Sequence, residues 1–551
     1  MSRLANFTFT GAHFAAVLLM AAVPLQLLVQ FLGSVIDSDT LRAVTTRWPI
    51  LLGNTAVVSG IAVLLALSVG LVLAVSLFRT NMVGKALGKA LLLLLLCLPT
   101  YATGSALLWS VGFSSYRESA VVAGLLYGLM LTPLAALILG VGLNRVDSAC
   151  EDQALLECRA VGVLWFVSLP LIRWNLCVAA LLVVFISATD YYITDMLQVR
   201  TFAEEIYTQY ALQGAAAMPL LLSIPPLLVF TALYALAFWF RPDRHALRAR
   251  DCTSARPFKL GVWRGVVSLV VVGAILLFAA IPLASTVNQI RADGPLEPTS
   301  GIELTSGIEP TSGIEPTSGI EPTSGIEPTS GFAISALATM PELLTSLWTC
   351  PAAASVCAAL GLGIAWLAVQ ARYVRWIVAA IVVLAWCVPA PACGVALIQL
   401  LNRPGALGAI YDSPVVLIIG YLVRFLPLAV LLLVPAVERV PLELEDSART
   451  EGCSSWEVQR FIYWPLSINH AALTWFIVLA YSYGEIACTV SIAPADYVTL
   501  AVRFSSLMHL GAYRDPAVIV VMTVSAILGQ GLLLYAMLWK FRSPGVRELR
   551  N

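Results

Sequence analysis

Two carboxyl groups occur inside long apolar stretches of this sequence, where charge is rare. Asp190 follows Pro170 by 20 residues, and Glu485 follows Pro465 by the same 20 residues. A charge within a membrane-spanning helix is costly, so it usually marks a transport pathway or a paired group. At about 1.5 Å per residue, both acids should lie ~30 Å along their helices. The spacing therefore predicts equivalent acids near corresponding ends of two helices.

Arg424 also stands in an apolar stretch, and it has no counterpart because Met130 takes that place in the first half. We expect Asp190, Tyr191 and Glu485, together with Arg424, to line the external mouth of a pathway. The alternative is that the acids are ordinary polar residues at helix ends, or that one of them pairs with Arg424. Both interpretations stay open on the sequence alone.

Two polar islands interrupt the apolar chain 294 residues apart. The first begins with Glu151 and Asp152, and the second with Glu445 and Asp446. Each island continues with an alanine and a further acid and ends in a proline, at Ala154, Glu157 and Pro170 and at Ala448, Glu451 and Pro465. Proline is accepted in the first turn of a helix, so each island is predicted to be a short helix leading into a span. Two matching copies favour a docking surface for another protein over a solvated connection.

The apolar runs between these features are long enough to cross a bilayer. Of the 551 residues, 59% are hydrophobic and only 12% are charged, with a mean hydropathy of +0.88. A spanning helix needs ~20 mostly apolar residues. We predict an all-α polytopic membrane protein with about twelve spans, at about 11–33, 51–78, 90–112, 119–143, 175–196, 217–240, 262–287, 343–370, 376–401, 414–437, 468–492 and 516–540.

The distribution of basic residues predicts the orientation. Lys and Arg cluster at 79–89, 241–264, 372–375 and 540–550, and such clusters mark the cytoplasmic side. Both termini and both islands are then cytoplasmic. The first apolar run is long for a signal peptide, so it is predicted to remain as a helix in the cell inner membrane. The lipid bilayer is thus a partner, and no nucleic-acid partner is predicted.

The sequence divides into two similar halves. Residues 1–245 are the first predicted half, 246–261 a basic linker, and 262–551 the second half. The second half carries an insertion at 293–332 that repeats the hexapeptide GIEPTS, predicted to be external. Proline in nearly every copy removes hydrogen-bond donors, and one Ile in six residues buries little surface, so this insertion is predicted to be disordered.

No enzyme is predicted. The stretch GKALGKAL at 84–91 is similar to a phosphate-binding loop, but it has three residues between its glycines where that loop has four, and Ala90 follows Lys89 where Ser or Thr is needed. The four histidines are scattered, and no CxxC pair suggests a zinc site. We therefore expect no catalytic residue, no bound cofactor and no resident metal.

The islands resemble the EAA loops of ABC-importer permeases, whose pattern is E-A-A-x-x-x-G followed by an apolar-x-L-P step. Residues 441–467 fit it well, with Asp446, Ser447, Ala448 and Gly452 in place. In that family the loops form coupling helices that sit in clefts of a cytoplasmic ATPase dimer. The resemblance implies two fused, MetI-like (type I) six-helix halves, with ATP bound and hydrolysed on the partner subunits.

The first island departs from that pattern. Within residues 147–172, Cys158 stands where glycine is usual, and one residue is missing before Pro170. We therefore expect the two docking contacts to differ in shape.

The segments after the two acids resemble ferric-iron importer permeases, in which G-E is followed by a proline and then T-L-x-V-R. Here Gly484-Glu485 precedes TLAVR at 499–503, and both this segment and the one after Thr201 are predicted to form short external helices. The resemblance implies a periplasmic binding protein as partner and ferric iron as cargo, for which Asp190, Tyr191, Tyr192 and Glu485 would offer oxygen ligands.

Other functions remain compatible with the sequence. Thiamine and polyamines are alternative cargoes for the same machinery. A secondary transporter is the alternative class, since it would also have twelve spans and a two-fold repeat. A membrane scaffold without transport is a third alternative, but it leaves the symmetric acids unexplained.

Overall fold

The computed structural model describes residues 11–33, 38–96, 98–111, 119–144, 146–213, 217–239, 257–291, 332–370, 372–510 and 514–542. The hexapeptide repeats before residue 332, the linker before residue 257 and both chain ends lie outside these ranges, so the predictions made for them are not addressed by the structure.

The described residues of the first half are helical over most of their length. The helices are α1 (Gly11–Gly33), α2 (Ser38–Ala74), α3 (Lys85–Leu96), α4 (Thr100–Val111), α5 (Ala120–Leu143), α6 (Ser148–Ala154), α7 (Ala160–Leu171), α8 (Arg173–Thr189), α9 (Tyr192–Met196), α10 (Phe202–Gln213) and α11 (Ala217–Trp239). A π-helical turn, Val75–Arg79, extends α2.

The second half follows the same order. Its helices are α12 (Arg264–Arg291), α13 (Phe332–Ala338), α14 (Met340–Gln370), α15 (Arg372–Cys387), α16 (Ala390–Leu401), α17 (Ala406–Tyr411), α18 (Val415–Val437), α19 (Leu442–Thr450), α20 (Ser455–Gly484), α21 (Thr489–Ile492), α22 (Leu500–His509) and α23 (Arg514–Arg542).

The all-α polytopic class is confirmed, but the spans are less regular than predicted. Within the described ranges, seven helices are long and apolar enough to cross a membrane, or up to ten if each of three bent pairs forms one span. The bent pairs are α3–α4, α7–α8 and α15–α16, with bends of 92°, 72° and 99°. Two shorter apolar helices, Ala15–Gln30 and Leu221–Leu236, occupy two more of the predicted positions.

Equivalent helix pairs form the centre of each half. In the first half α2 packs along α5, and in the second α14 packs along α18. The first pair is close because Gly124 and Gly128 lie on one face of α5: a Cβ at Gly124 would stand 2.8 Å from Ile61 Cβ and from the carbonyl oxygen of Val58. Small residues four apart let membrane helices approach until van der Waals contact drives their association.

The first helix of each half packs against the other half. Helix α1 contacts α14, α15, α16 and α18, while α12 contacts α3 and α4. This exchange joins the halves through apolar surface, and it places the bends of α3–α4 and α15–α16 at their interface.

Candidate functional site

The first polar island is held by a buried ion pair. Glu151 in α6 is only 3% exposed, and its carboxylate pairs with Arg79 at the end of α2. Ser168 Oγ donates to Glu151 Oε1 at 2.7 Å, and Arg79 Nη1 donates to the carbonyl oxygen of Leu143 at 2.9 Å. Because the pair is out of water, these additional hydrogen bonds are needed to offset its desolvation. Glu151 is thus an anchor between the island and the spanning helices.

The second island is held in the equivalent way by different partners. Glu445 in α19 is also 3% exposed. Gln370 Nε2 donates to its carboxylate at 3.0 Å from the end of α14, and Tyr463 OH donates at 2.6 Å. Arg449, one turn further along α19, adds a 2.8 Å ion pair. Ser168 and Tyr463 both end π-helical turns, which aim them at the two glutamates.

The described end of the linker between the halves contacts the first anchor. The amide of Phe258 donates to the carbonyl oxygen of Arg79, and the amide of Asn81 donates to that of Phe258. The Phe258 ring centroid lies 5.2 Å from Cζ of Arg79, and the amide of Leu260 donates to Asn81 Oδ1. The linker end therefore packs over the guanidinium that holds Glu151.

We expect Phe258→Ala to loosen this contact. Losing the cation–π interaction should cost about 0.5–2 kcal/mol, since the guanidinium is desolvated. The amides of Asn81 and Leu260 should then exchange hydrogen faster in mass-spectrometric exchange experiments. Val262→Ala, just after the linker and 93% exposed, is the control. Unchanged exchange at Asn81 would show that the ring does not hold the linker.

The structure separates the predicted docking residues by burial. The sequence placed all of them on one docking surface, but the buried Glu151 and Glu445 cannot face a partner. Asp152, Ala154 and Ala448 are half-buried, whereas the exposed members are Glu157, Pro170, Asp446, Glu451, Gly452 and Pro465. The surface around the exposed members is also apolar, with Leu156 at 87%, Phe166 at 79% and Phe461 at 65% exposed. Exposed apolar patches of this kind mark sites of protein or membrane contact.

The two islands differ in shape, as the sequence predicts. Gly452 has φ +87°, a left-handed conformation that glycine adopts without strain, and it closes α19. No described residue of the first island has a positive φ. There the chain reaches Cys158 by a series of tight turns. After Pro170 the chain bends by 72° into α8, while α20 continues through Pro465.

Asp190 and Glu485 line one cavity, although they are 295 residues apart. Helices α8 and α20 end immediately before them, and each acid has an extended backbone with ψ 132° and 114°. Each carboxylate accepts a backbone N–H of the next turn, from Tyr192 at 3.0 Å and from Cys488 at 2.7 Å. The cavity has a volume of about 80 Å³ and also contacts the bends at Pro99 and Ala390. Four interruptions of spanning helices thus meet at one place.

Arg424 joins the two halves at this cavity. Its Nη2 donates to Thr189 Oγ1 at 2.7 Å, its Nη1 to the carbonyl oxygen of Val388 at 3.4 Å, and its Nε lies 4.0 Å from Glu485 Oε2. Its equivalent, Met130, lines the cavity from the first half. The predicted pairing of Arg424 with one of the acids is therefore present, within the same cavity that both acids line.

Tyr191 lies outside the lining of this cavity. Its ring is 1% exposed and stacks on Tyr207 in α10, with centroids 4.3 Å apart. The Tyr192 ring lies near Tyr101 and Phe504, 6.4 and 6.2 Å between centroids. The phenols that the sequence grouped with the acids thus pack between helices.

The short helices predicted after the two acids are present as α10 and α22. Thr201 and Thr499 cap them, since their hydroxyl oxygens accept from the amides of Glu204 and Val502. Helix α10 packs on α16 of the other half, and Phe504 in α22 lies 4.3 Å from Tyr101 in α4. Burial raises the pKa of Glu204 to about 6 against the opposing hydrogen bond from Thr208. Helices α10 and α22 thus pack beside helices whose ends line the cavity.

Comparison with known proteins finds a family match within the second half. Residues 358–538 match the family described as the binding-protein-dependent transport system inner membrane component. The match begins within α14 and ends within α23, so it includes the second island, Arg424 and Glu485. It supports a multi-pass permease component of a binding-protein-dependent transport system. No curated protein matches the sequence.

Several residues of the site were not predicted from the sequence. Arg79 was counted only as an orienting charge, and Gln370 and Tyr463 carried no signal. Pro99 and Pro389 did carry a signal in the sequence. Each stands inside a predicted span, at corresponding places in the two halves. Proline within a helix removes a hydrogen bond and disfavours helical geometry before it, so this repeated proline could have predicted both bends.

Proposed function

We propose that this chain is the fused permease subunit of an ATP-driven importer, forming the translocation path through the inner membrane. The paired islands carry this proposal. Each is fixed to a spanning helix by a buried glutamate, and each presents exposed apolar and acidic side chains away from that anchor. A rigidly attached, partly apolar loop is suited to transmit motion from a docked partner.

The partner in this proposal is a cytoplasmic ATPase dimer with one cleft for each island. The family match supports this assignment, since it includes the whole second island. A substrate-binding protein would dock at the opposite end, near α10 and α22. Both termini are then cytoplasmic, and the alternation between inward and outward access follows ATP binding and hydrolysis on the partner.

A secondary transporter remains the second candidate, because interrupted helices meeting at a repeat interface are also typical of that class. The cavity does not separate the two classes. The islands do, since a secondary transporter has no need of paired docking loops. For the cargo, the resemblance of the external segments favours ferric iron over thiamine or polyamines.

We expect Leu156→Asp to abolish association with the ATPase. If the partner buries Leu156, the substitution removes an apolar contact. It also buries a charge, which adds a desolvation cost of several kcal/mol. The measurement is co-purification, from native membranes in mild detergent, of a protein that contains a phosphate-binding loop. Val262→Asp, equally exposed but outside the islands, should retain it. If wild-type chain brings down no such ATPase, or if Leu156→Asp retains it, the coupling function is wrong.

A further inference from the structure

We infer that the cavity between the halves binds an organic cation. When no cargo is present, the guanidinium of Arg424 provides the positive charge beside the two acids. This inference rests on the proposed transport function, but its cargo class differs from the ferric iron that the resemblance of the external segments favours. The groups that carry it are the two acids, the guanidinium and the aromatic rings of the cavity wall.

The charges of the cavity favour a cation. Two carboxylates, from Asp190 and Glu485, face one guanidinium, from Arg424. Four helices also reach the cavity with their C-terminal ends, namely α3, α8, α15 and α20, whereas α4 and α16 reach it with their N-terminal ends. A helix C-terminus carries partial negative charge, so the backbone reinforces the acids.

Aromatic rings form part of the cavity wall. Phe185 of the first half stacks on Trp386 of the second, with centroids 4.8 Å apart, and Phe425 lies 6.3 Å from Tyr481. All four rings line the cavity. Aromatic faces attract organic cations, and a desolvated contact of this kind contributes about tenfold or more to affinity.

The same residues are poorly arranged to coordinate a bare metal ion. Each acid already accepts a backbone amide on one oxygen. Within the described part of the chain, no three His, Cys, Asp or Glu side chains come together to hold a metal ion, and Tyr191 and Tyr192 do not line the cavity. A hard cation such as Fe³⁺ would need several oxygen ligands at one point.

Arg424 occupies the position that a cargo cation would take. Its Nε lies 4.0 Å from Glu485 while its Nη2 is held by Thr189, so the guanidinium connects the halves across the cavity. A cation entering between the acids competes with it for Glu485. Binding would therefore loosen the Arg424–Glu485 pair within the second half and release the side chain that also holds Thr189 of the first half. A ligand shifts a conformational equilibrium only through such differential contacts.

The test is direct binding to the full chain in lipid nanodiscs, with radiolabelled spermidine, thiamine, ferric citrate and glutamate as probes. We expect spermidine or thiamine to bind, and Asp190→Asn to weaken that binding by about tenfold or more. This substitution removes the charge but keeps an acceptor, because the side-chain oxygen of an amide can still accept from the Tyr192 N–H. Trp386→Leu should weaken binding as well, whereas Asp412→Asn, an exposed acid elsewhere, should not.

Arg424→Met distinguishes a binding role from a structural one. Removing the competing guanidinium should tighten binding of the organic cation, while simple damage to the cavity would weaken it. The inference is overturned if neither organic cation binds at millimolar concentration, if ferric citrate or glutamate binds preferentially, or if Asp190→Asn has no effect. Association of the ATPase with the same wild-type chain is measured separately. Its loss would refute the transport function itself, whatever the cavity binds.

Discussion

Glu151→Ala is expected to destabilise the first island by about 3–5 kcal/mol and to abolish its association with the ATPase. The reason is that Arg79, 1% exposed, would be left buried without a counter-charge. Ser168 would also lose its 2.7 Å hydrogen bond and keep only the 3.5 Å contact with the carbonyl oxygen of Val163. The measurements are thermal unfolding of the detergent-solubilised chain and co-purification of the ATPase.

Two further variants isolate the cause. Glu157→Ala makes the same change at an exposed position of the same island, and it should leave the unfolding temperature unchanged. The double variant Arg79→Met/Glu151→Leu removes both charges, and it should recover much of the lost stability because apolar side chains of similar volume often replace a buried ion pair well. Equal destabilisation by Glu157→Ala, or no recovery in the double variant, would contradict the anchoring role.

Gly124→Leu is expected to push α2 away from α5 and to destabilise the first half. Even the first added carbon would stand 2.8 Å from the carbonyl oxygen of Val58, which belongs to a helix backbone and cannot move alone. Overpacking of a well-packed core typically costs about 1–3 kcal/mol, and a backbone contact places this site at the upper end. The expected result is a lower yield of monodisperse protein and a lower unfolding temperature.

Gly60→Leu is the matched control. Gly60 lies on α2 itself, but a Cβ there would meet nothing within 4 Å. Leucine is also the better helix former, so this variant should be neutral or slightly stabilising. If both variants lower the unfolding temperature equally, helix composition rather than close approach explains the effect.

The sequence predicted the outline of the candidate site because the same features occur twice. Asp190 and Glu485 were found from their equal spacing to a proline, and the structure places both on one cavity. The two islands were found in the same way. Repetition could not show which acid of each island faces inward, because that depends on Arg79 and Gln370, which lie far away in the chain.

The bends were missed for a related reason. Hydropathy measures whether a segment prefers lipid, and a helix interrupted at Pro99 or Pro389 remains as apolar as a continuous one. Counting apolar runs therefore located helices at the predicted positions but counted each run as a single span. The aromatic wall was missed because Phe185 and Trp386 come from different halves.

The sequence by itself determined that this chain is an all-α membrane protein with paired polar islands and paired acids, because apolar length, charge and repetition are properties of the chain read in order. Only the tertiary structure decided that Glu151 and Glu445 are anchors, that Tyr191 packs away from the acids, and that Arg424 connects the halves beside them. These roles depend on burial and on contacts between distant residues, and both are set by how the helices pack.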